Sequence, residues 1–231
     1  MKTCEFGQDN PRRIALFGGT FNPIHRGHLQ VALDVLQQVH LDRIYFIPSA
    51  VPPHKSTGQL ATAQERLDMV GLALEGHERL MACDVEIKRT GPSYSIDTVR
   101  QFKQTAGQVN RLFFMVGVDA FLEIHTWRAA DRLFEETAFI VMSRAGSGQW
   151  SPQMRRQVEK YVQDHVSTEY ALSAGEAYLA HPRLQKIHLV TVTPVDVASS
   201  NLRRMRREGQ TIAPWVAPAV ARYIEQRGLY Q

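Results

Sequence analysis

Apolar residues along this chain fall into short continuous runs that alternate with longer stretches of helical spacing, from about residue 14 to the C-terminus. Residues 14–17, 43–47, 112–116, 138–142 and 186–192 have the length and continuity of buried strands, and 112–116 is apolar enough to sit in the middle of a parallel sheet. Met81, Cys83, Val85 and Ile87 alternate with polar residues instead, which predicts a strand with one less buried face, near a sheet edge. Helices are predicted between the strands. Residues 29–36 carry a helix face, Thr62 and Glu65 have capping-box spacing ahead of a helix to about Leu74, and the small hydroxyl residues with Asp97 open one running to about Thr105. Further helices are expected over 128–136, from Ser151-Pro152 to about His165, from Ser199 or Ser200 with Arg203 in the first turn, and over 213–227, stopped by Gly228. Residues 167–182 show no strong period and are left unassigned.

Alternating strands and helices imply right-handed crossovers and hence a doubly wound, Rossmann-like α/β parallel sheet. We divide the chain into an α/β domain at 12–196 and a small C-terminal helical subdomain at 197–231 packed on the same core. With 231 residues, 44% hydrophobic and 22% charged, disorder is not expected to dominate. Cys4 and Cys83 are too few for a disulfide framework, the first thirteen residues lack an apolar signal core, and no run approaches the roughly eighteen residues of a membrane span. The expectation is a soluble, cytoplasmic protein. A net charge of +4 favours anionic ligands only mildly, and the basic run 203–207 lacks the interleaved aromatics of a nucleic-acid module, so it is taken as a solvated helix face.

Candidate chemistry centres on residues 18–28, Gly-Gly-Thr-Phe-Asn-Pro-Ile-His-Arg-Gly-His. Strand, tight turn and helix follow one another there, so backbone amides at the helix start favour an anion such as phosphate. Thr20 and Pro23 stand where a dinucleotide fingerprint needs glycine, and no Gly-Lys pair supplies a P-loop. His25 and His28, three apart, would turn both rings to one ligand, and no local third ligand supports structural zinc. In a doubly wound sheet the loops after the strands converge on one edge. That edge would gather the His pair, the stiff Pro52-Pro53-His54-Lys55 loop, Asp119 just beyond a central strand, and Arg203. Asp119 serves equally as a ligand group or a helix N-cap, while Trp127 suits a core position. No serine or cysteine has an evident activating partner in sequence, and the inventory fits phosphoryl or nucleotidyl transfer, which rests on positioning and charge neutralisation with Mg²⁺.

Residues 18–28 resemble the Gly-Gly-Thr-Phe-Asp-Pro-x-His-x-Gly-His signature of the nucleotidylyltransferase superfamily. Further segments follow in order: Val51-Pro52-Pro53-His54-Lys55, Pro92-Ser93-Tyr94-Ser95 with Asp97-Thr98, Gly117-x-Asp119 with Trp127, Ser199-Ser200 with Arg203, and the closing Tyr223-Ile224 and Gly228-Leu229-Tyr230. Together they are similar to the bacterial nicotinate-nucleotide adenylyltransferase family. The resemblance implies transfer of AMP from ATP to nicotinate mononucleotide by a monomer or homo-oligomer, with no nucleic-acid or membrane partner. It also implies roles. His25, His28 and Lys55 would be catalytic. Gly18, Gly19, Thr20, Phe21, Ser200 and Arg203 would bind ATP with the histidines, and Ser95, Asp119 and Trp127 would bind substrate, Asp119 also being a candidate for a Mg²⁺-linked group. Asn22, Ala198 and Ser200 depart from the family's usual Asp, Ser and Thr. Rival readings are another adenylyl- or cytidylyltransferase of the superfamily, or a non-catalytic nucleotide- or RNA-binding module.

Overall fold

Five of the apolar runs become neighbouring or near-neighbouring strands of one sheet, because each is buried on both faces and needs helices above and below it. A computed structural model describes residues 12–51, 60–105, 111–143 and 149–231. The elements in chain order are β1 (Arg13–Gly19), α1 (Arg26–Gln38), β2 (Arg43–Pro48), α2 (Ala63–Ala73), β3 (Leu80–Ala82), α3 (Ser95–Thr105), β4 (Arg111–Gly117), α4 (Val118–Phe121), a 3₁₀ turn (Ile124–Thr126), α5 (Ala130–Glu136), β5 (Ala138–Met142), α6 (Pro152–His165), β6 (Ala171–Leu172), β7 (Tyr178–Ala180), β8 (Ile187–Val190), α7 (Ser199–Arg207) and α8 (Pro218–Gln226). The sheet order is β3-β2-β1-β4-β5-β8-β7-β6. The first six in that order are parallel, and β7 and β6 continue it antiparallel. Strand order reverses between β1 and β4, so the doubly wound α/β architecture has its switch point there.

Alternation along β1 divides the core into two layers. Ala15 and Phe17 face a cluster with Val35 of α1, Val70 of α2, Leu202 of α7 and Val220 and Ile224 of α8. Ile14 and Leu16 face the opposite cluster with Phe102 of α3, Phe121 of α4, Leu133 of α5 and Val158 of α6. Local capping chemistry fixes several boundaries where sequence places them. Thr62 N–H donates to Glu65 Oε2 at 2.8 Å while Thr62 Oγ1 accepts from the Glu65 amide at 3.2 Å, and Ser151 Oγ accepts from the Met154 amide at 3.1 Å.

Four expectations need correction. The edge strand predicted over 81–87 stops at Ala82, because residues 84–88 turn and bury Asp84 and Glu86 among the polar positions of the alternation. Residues 167–182, left unassigned, contain the β6–β7 hairpin, whose strands of two and three residues are too short to show a period. Helix α5 starts two residues late, at Ala130, behind a left-handed Ala129. Helix α8 starts at Pro218 rather than near 213, since the residue before a proline avoids helical backbone and Ala217 is extended (ψ 144°).

Ile224 is fully buried in the layer that covers β1. Ile224→Ala is expected to cost about 2–5 kcal/mol, read as a lower urea midpoint with unchanged slope. A loss below about 0.5 kcal/mol, the scale of a surface change, would mean that α8 does not share the core.

Candidate active site

At the C-terminal end of β1 the chain turns through Thr20, Phe21, Asn22 and Pro23, with Asn22–Pro23 in cis, and enters α1. Phe21 has a left-handed backbone (φ 47°) and folds its ring back over β1, edge-on to Phe17 at 5.6 Å. A Cβ on Gly19 would lie 2.9 Å from that ring, so only glycine fits beneath it. His25 is the N-cap of α1, and its amide donates to His28 Nδ1 at 3.2 Å. The two imidazoles stack with centroids 3.7 Å apart and planes 29° apart, and the His28 ring rests edge-on to Phe21 at 5.0 Å. Because Nδ1 of His28 accepts, its proton belongs on Nε2, an assignment inferred from the hydrogen bond. Burial pushes the His25 pKa down to about 4, so this ring is neutral at pH 7 in the free protein.

The turn is held from outside by distant segments. Asn22 Oδ1 accepts from the Ala61 amide at 3.1 Å and from the Tyr230 hydroxyl at 2.7 Å. The Asn22 carbonyl accepts from Arg203 Nη1 at 2.9 Å, and the Pro23 carbonyl accepts from Ser199 Oγ at 2.9 Å. Arg66, 2% exposed, donates to the carbonyls of Ala61, Thr20 and Ala50 at 3.0, 2.9 and 3.4 Å.

A second group of residues lies beyond the end of β2. Ser93 Oγ accepts from the Ala50 amide at 2.9 Å and hydrogen-bonds Glu86, whose carboxylate also accepts from Thr98 Oγ1 at 2.7 Å. Burial raises the Glu86 pKa, and the hydroxyls of Ser93 and Thr98 with the charges of Arg89 and Arg66 oppose the rise. The half-buried Ser95 begins α3 immediately behind. The guanidinium of Arg128 covers the Tyr94 ring at 4.7 Å, which joins this segment to the Trp127 loop, and Trp127 stands edge-on to Phe114 of β4 at 6.0 Å.

The sequence-predicted residues are thus distributed as follows. Gly18 and Gly19 end β1, Thr20, Phe21 and His25 form the turn after it, His28 stands in the first turn of α1 and Arg203 reaches the turn from α7, while Ser95 and Trp127 belong to the second group. Asp119 is exposed in the first turn of α4 at the end of β4, and the N-cap there is Gly117, which removes the capping alternative. Ser200 is exposed in α7, whose N-cap is Ala198 rather than either serine; Ser199, not Ser200, bonds the turn. His54 and Lys55 lie outside the described residues. Sequence reading missed Arg66 and Glu86, and gave Tyr230 only as part of the closing motif, with no role. For Arg66 a signal was present, since it shares a helix face with the buried Met69, Val70 and Ala73 at i+3, i+4 and i+7. A cavity of about 510 Å³ lined by Arg111, Phe113, Lys186 and His188 opens where the strands begin, at the opposite edge of the sheet, and includes none of the predicted residues. Chemistry therefore places the site at the C-terminal edge.

Among the described residues no set of three His, Cys, Asp or Glu side chains gathers to hold a metal. A single carboxylate such as Asp119 suits Mg²⁺, which keeps most of its waters and is held mainly through substrate phosphates.

A cytidylyltransferase-like family model matches residues 16–205. The chain is 36% identical over 219 residues to a probable nicotinate-nucleotide adenylyltransferase of Desulfatibacillum aliphaticivorans, covering 94% of this chain and 99% of that one. A protein of the same name from Shouchella clausii is 35% identical, with 95% and 97% covered. The fold is similar to that of Plasmodium falciparum nicotinic acid mononucleotide adenylyltransferase complexed with NaAD, at TM-score 0.69 and 18% identity, covering 94% of this chain and 96% of that one. The chain therefore belongs to the nicotinate-nucleotide adenylyltransferases of the cytidylyltransferase-like family.

Proposed function

We propose that this chain transfers the adenylyl group of ATP to nicotinate mononucleotide, forming deamido-NAD and pyrophosphate in cytoplasmic NAD biosynthesis. The observation that carries the reading is the stacked His25–His28 pair at the head of α1, set over the turn of Gly18 and Gly19 at the switch point of the sheet. Family membership supplies the nucleotide substrates. In the reaction a phosphate oxygen of the mononucleotide forms the new bond to the α-phosphorus of ATP, and the bond from that phosphorus to the bridging oxygen breaks as pyrophosphate leaves.

The residues act mainly by positioning and by placing donors where negative charge builds up. His28 offers Nε2–H to a phosphate oxygen, with its ring oriented by the His25 amide. His25 is neutral in the free protein, and an adjacent polyphosphate favours its protonated form, so ATP binding raises its pKa. Gly18, Gly19, Thr20 and Phe21 shape the phosphate turn. Arg203 is anchored through Nη1 to the Asn22 carbonyl and is assigned to the ATP phosphates, and Ser200 stands in the same first turn. Lys55 is assigned to the reacting phosphates on its motif alone. Ser95 and Trp127 are assigned to the nicotinate ring and carboxylate, and Asp119 to ribose or to a group linked to Mg²⁺. When bound, Mg²⁺ would be held mainly through the ATP phosphates with Asp119 as its candidate protein ligand, and it would supply charge neutralisation at phosphorus. Residues 197–231 form a C-terminal helical subdomain on the core of the 12–196 domain in this reading. No helix among the described residues is long and apolar enough to cross a membrane.

With Mg²⁺ and ATP, pyrophosphate release should depend on nicotinate mononucleotide in a panel that also contains nicotinamide mononucleotide, pantetheine phosphate and glycerol phosphate. No release, or release without acceptor preference, refutes the reading. His28→Ala should lower kcat by about 10²–10³-fold, the effect of deleting one transition-state donor, while calorimetry still detects ATP binding; an unchanged kcat removes the role. Nitrogen NMR of the free protein should show His25 neutral from pH 7.5 down to pH 5, with protonation centred near 4. Because its folded pKa is depressed, the stability gained by keeping His25 neutral is complete above about 6.5 and is lost as pH falls from there towards 4. A midpoint near 6.5 contradicts the burial argument.

A further inference from the structure

Two segments must be held at a fixed separation if one phosphate is to attack another in line: the turn that holds ATP and the stretch around residues 93–98 that faces the acceptor. The need for that separation rests on the function proposed above. The Ser49 amide donates to the Gly19 carbonyl at 2.9 Å where the two segments begin, and a buried side chain joins them beyond that point. Arg66 Nη1 donates to the Thr20 carbonyl in the turn at 2.9 Å, and Nη2 donates to the Ala50 carbonyl at 3.4 Å. The amide of the same Ala50 donates to Ser93 Oγ at 2.9 Å, and the Ser93 amide donates to the Val51 carbonyl at 3.2 Å. Beyond Ser93, the carboxylate of Glu86 gathers the hydroxyls of Ser93 and Thr98, and Arg89 Nη2 donates to Thr98 Oγ1 at 3.2 Å. Nε of Arg66 is tied to the Ala61 carbonyl at 3.0 Å, so the guanidinium plane is fixed by three backbone oxygens.

We propose that Arg66 is a positioning residue of the transfer reaction, a buried strut that sets the distance between the ATP turn and the acceptor segment. Three points favour this over a purely structural role. A guanidinium buried to 2% exposure is an expensive way to fill a helix–sheet interface that the neighbouring Met69 and Val70 fill with apolar atoms. Among the described residues, the hydrogen bonds of Arg66 go to loop carbonyls at the ends of β1 and β2 and ahead of α2. Its planar fork is also the one cationic group able to address several divergent acceptors at once; a lysine ammonium in the same place is a point donor. A positioning residue touches no substrate, so its loss should leave each substrate able to bind while the pair is misaligned.

The test is steady-state kinetics of full-length Arg66→Lys with ATP and nicotinate mononucleotide, alongside calorimetric titration of each ligand separately. Rates are taken per binding-competent site, counted from the titration stoichiometry. The expected result is a fall in kcat of about 10–100-fold, the scale of an ångström-level misalignment, with the dissociation constant of each ligand changed by less than about threefold. Ser93→Ala, which deletes the acceptor for the Ala50 amide without touching the guanidinium, should lower kcat in the same direction by about threefold to tenfold, and it decides the matter if Arg66→Lys does not fold. A kcat per competent site equal to wild type overturns the proposal, as does a loss accounted for entirely by weakened binding of one ligand. A wild-type protein that does not adenylylate nicotinate mononucleotide refutes the proposed function instead, which keeps the two failures distinct.

Discussion

The need to satisfy buried backbone carbonyls in the turn after β1 organises this molecule. Asn22 and Pro23 are buried, and a buried carbonyl without a donor costs about 1–3 kcal/mol. Within the turn there is no regular ladder to supply donors, so they come from elsewhere: Arg66 of α2 for Thr20, Arg203 of α7 for Asn22, and Ser199 of α7 for Pro23. The Asn22 side chain collects two more, from Ala61 ahead of α2 and from Tyr230 beyond α8. The turn is therefore completed by the segment around α2 and by the chain from α7 to Tyr230. A motif that looks local in sequence depends on residues up to 208 positions away.

The same enclosure sets the electrostatics. Packing His25 beneath the start of α1 removes its charge at neutral pH, whereas His28, half-buried and braced by Phe21, presents a donor. Two adjacent imidazoles could not both be cationic at 3.7 Å without repulsion, and burial of one resolves the conflict before any ligand arrives. In the proposed reaction, negative charge brought by a polyphosphate would oppose that depression of the His25 pKa. The aromatic side chains Phe17, Phe21 and Phe46 around the turn exclude water on that side, which strengthens such an interaction relative to an exposed site.

Local chemistry explains what was legible in the sequence. The Thr62–Glu65 box and Ser151-Pro152 determine helix starts through bonds spanning three residues, so α2 and α6 begin where they are read. The central strands were legible because burial on both faces demands continuous apolar runs. What escaped was tertiary. Glu86 occupies a polar position in an alternating stretch, yet it turns inward because Ser93 and Thr98 offer it hydroxyls. Arg66 hides on an apolar helix face because the acceptors it satisfies lie up to 46 residues away. Lone polar residues on core faces were the missing signal, and only the folded arrangement says which partners justify them. The gathering of the His pair with Arg203 at one edge was anticipated; that Arg203 would also brace the turn was not.

The departures of this chain from its family's usual residues become intelligible in the same terms. At position 22 two donors, an amide and a phenol, converge on Oδ1. A carboxamide oxygen accepts both, and it does so without placing a negative charge at 2% exposure. Ala198 gives α7 no side-chain cap, which relative to serine costs about 0.5–2 kcal/mol. The helix start is fixed instead by what its next residues do: Ser199 and Arg203 bond the carbonyls of the very turn they support. Turn and helix thus hold each other. A cap confined to α7 would stabilise that helix alone, while bonds from its first turn to Asn22 and Pro23 make its stability and the geometry of the turn after β1 one quantity.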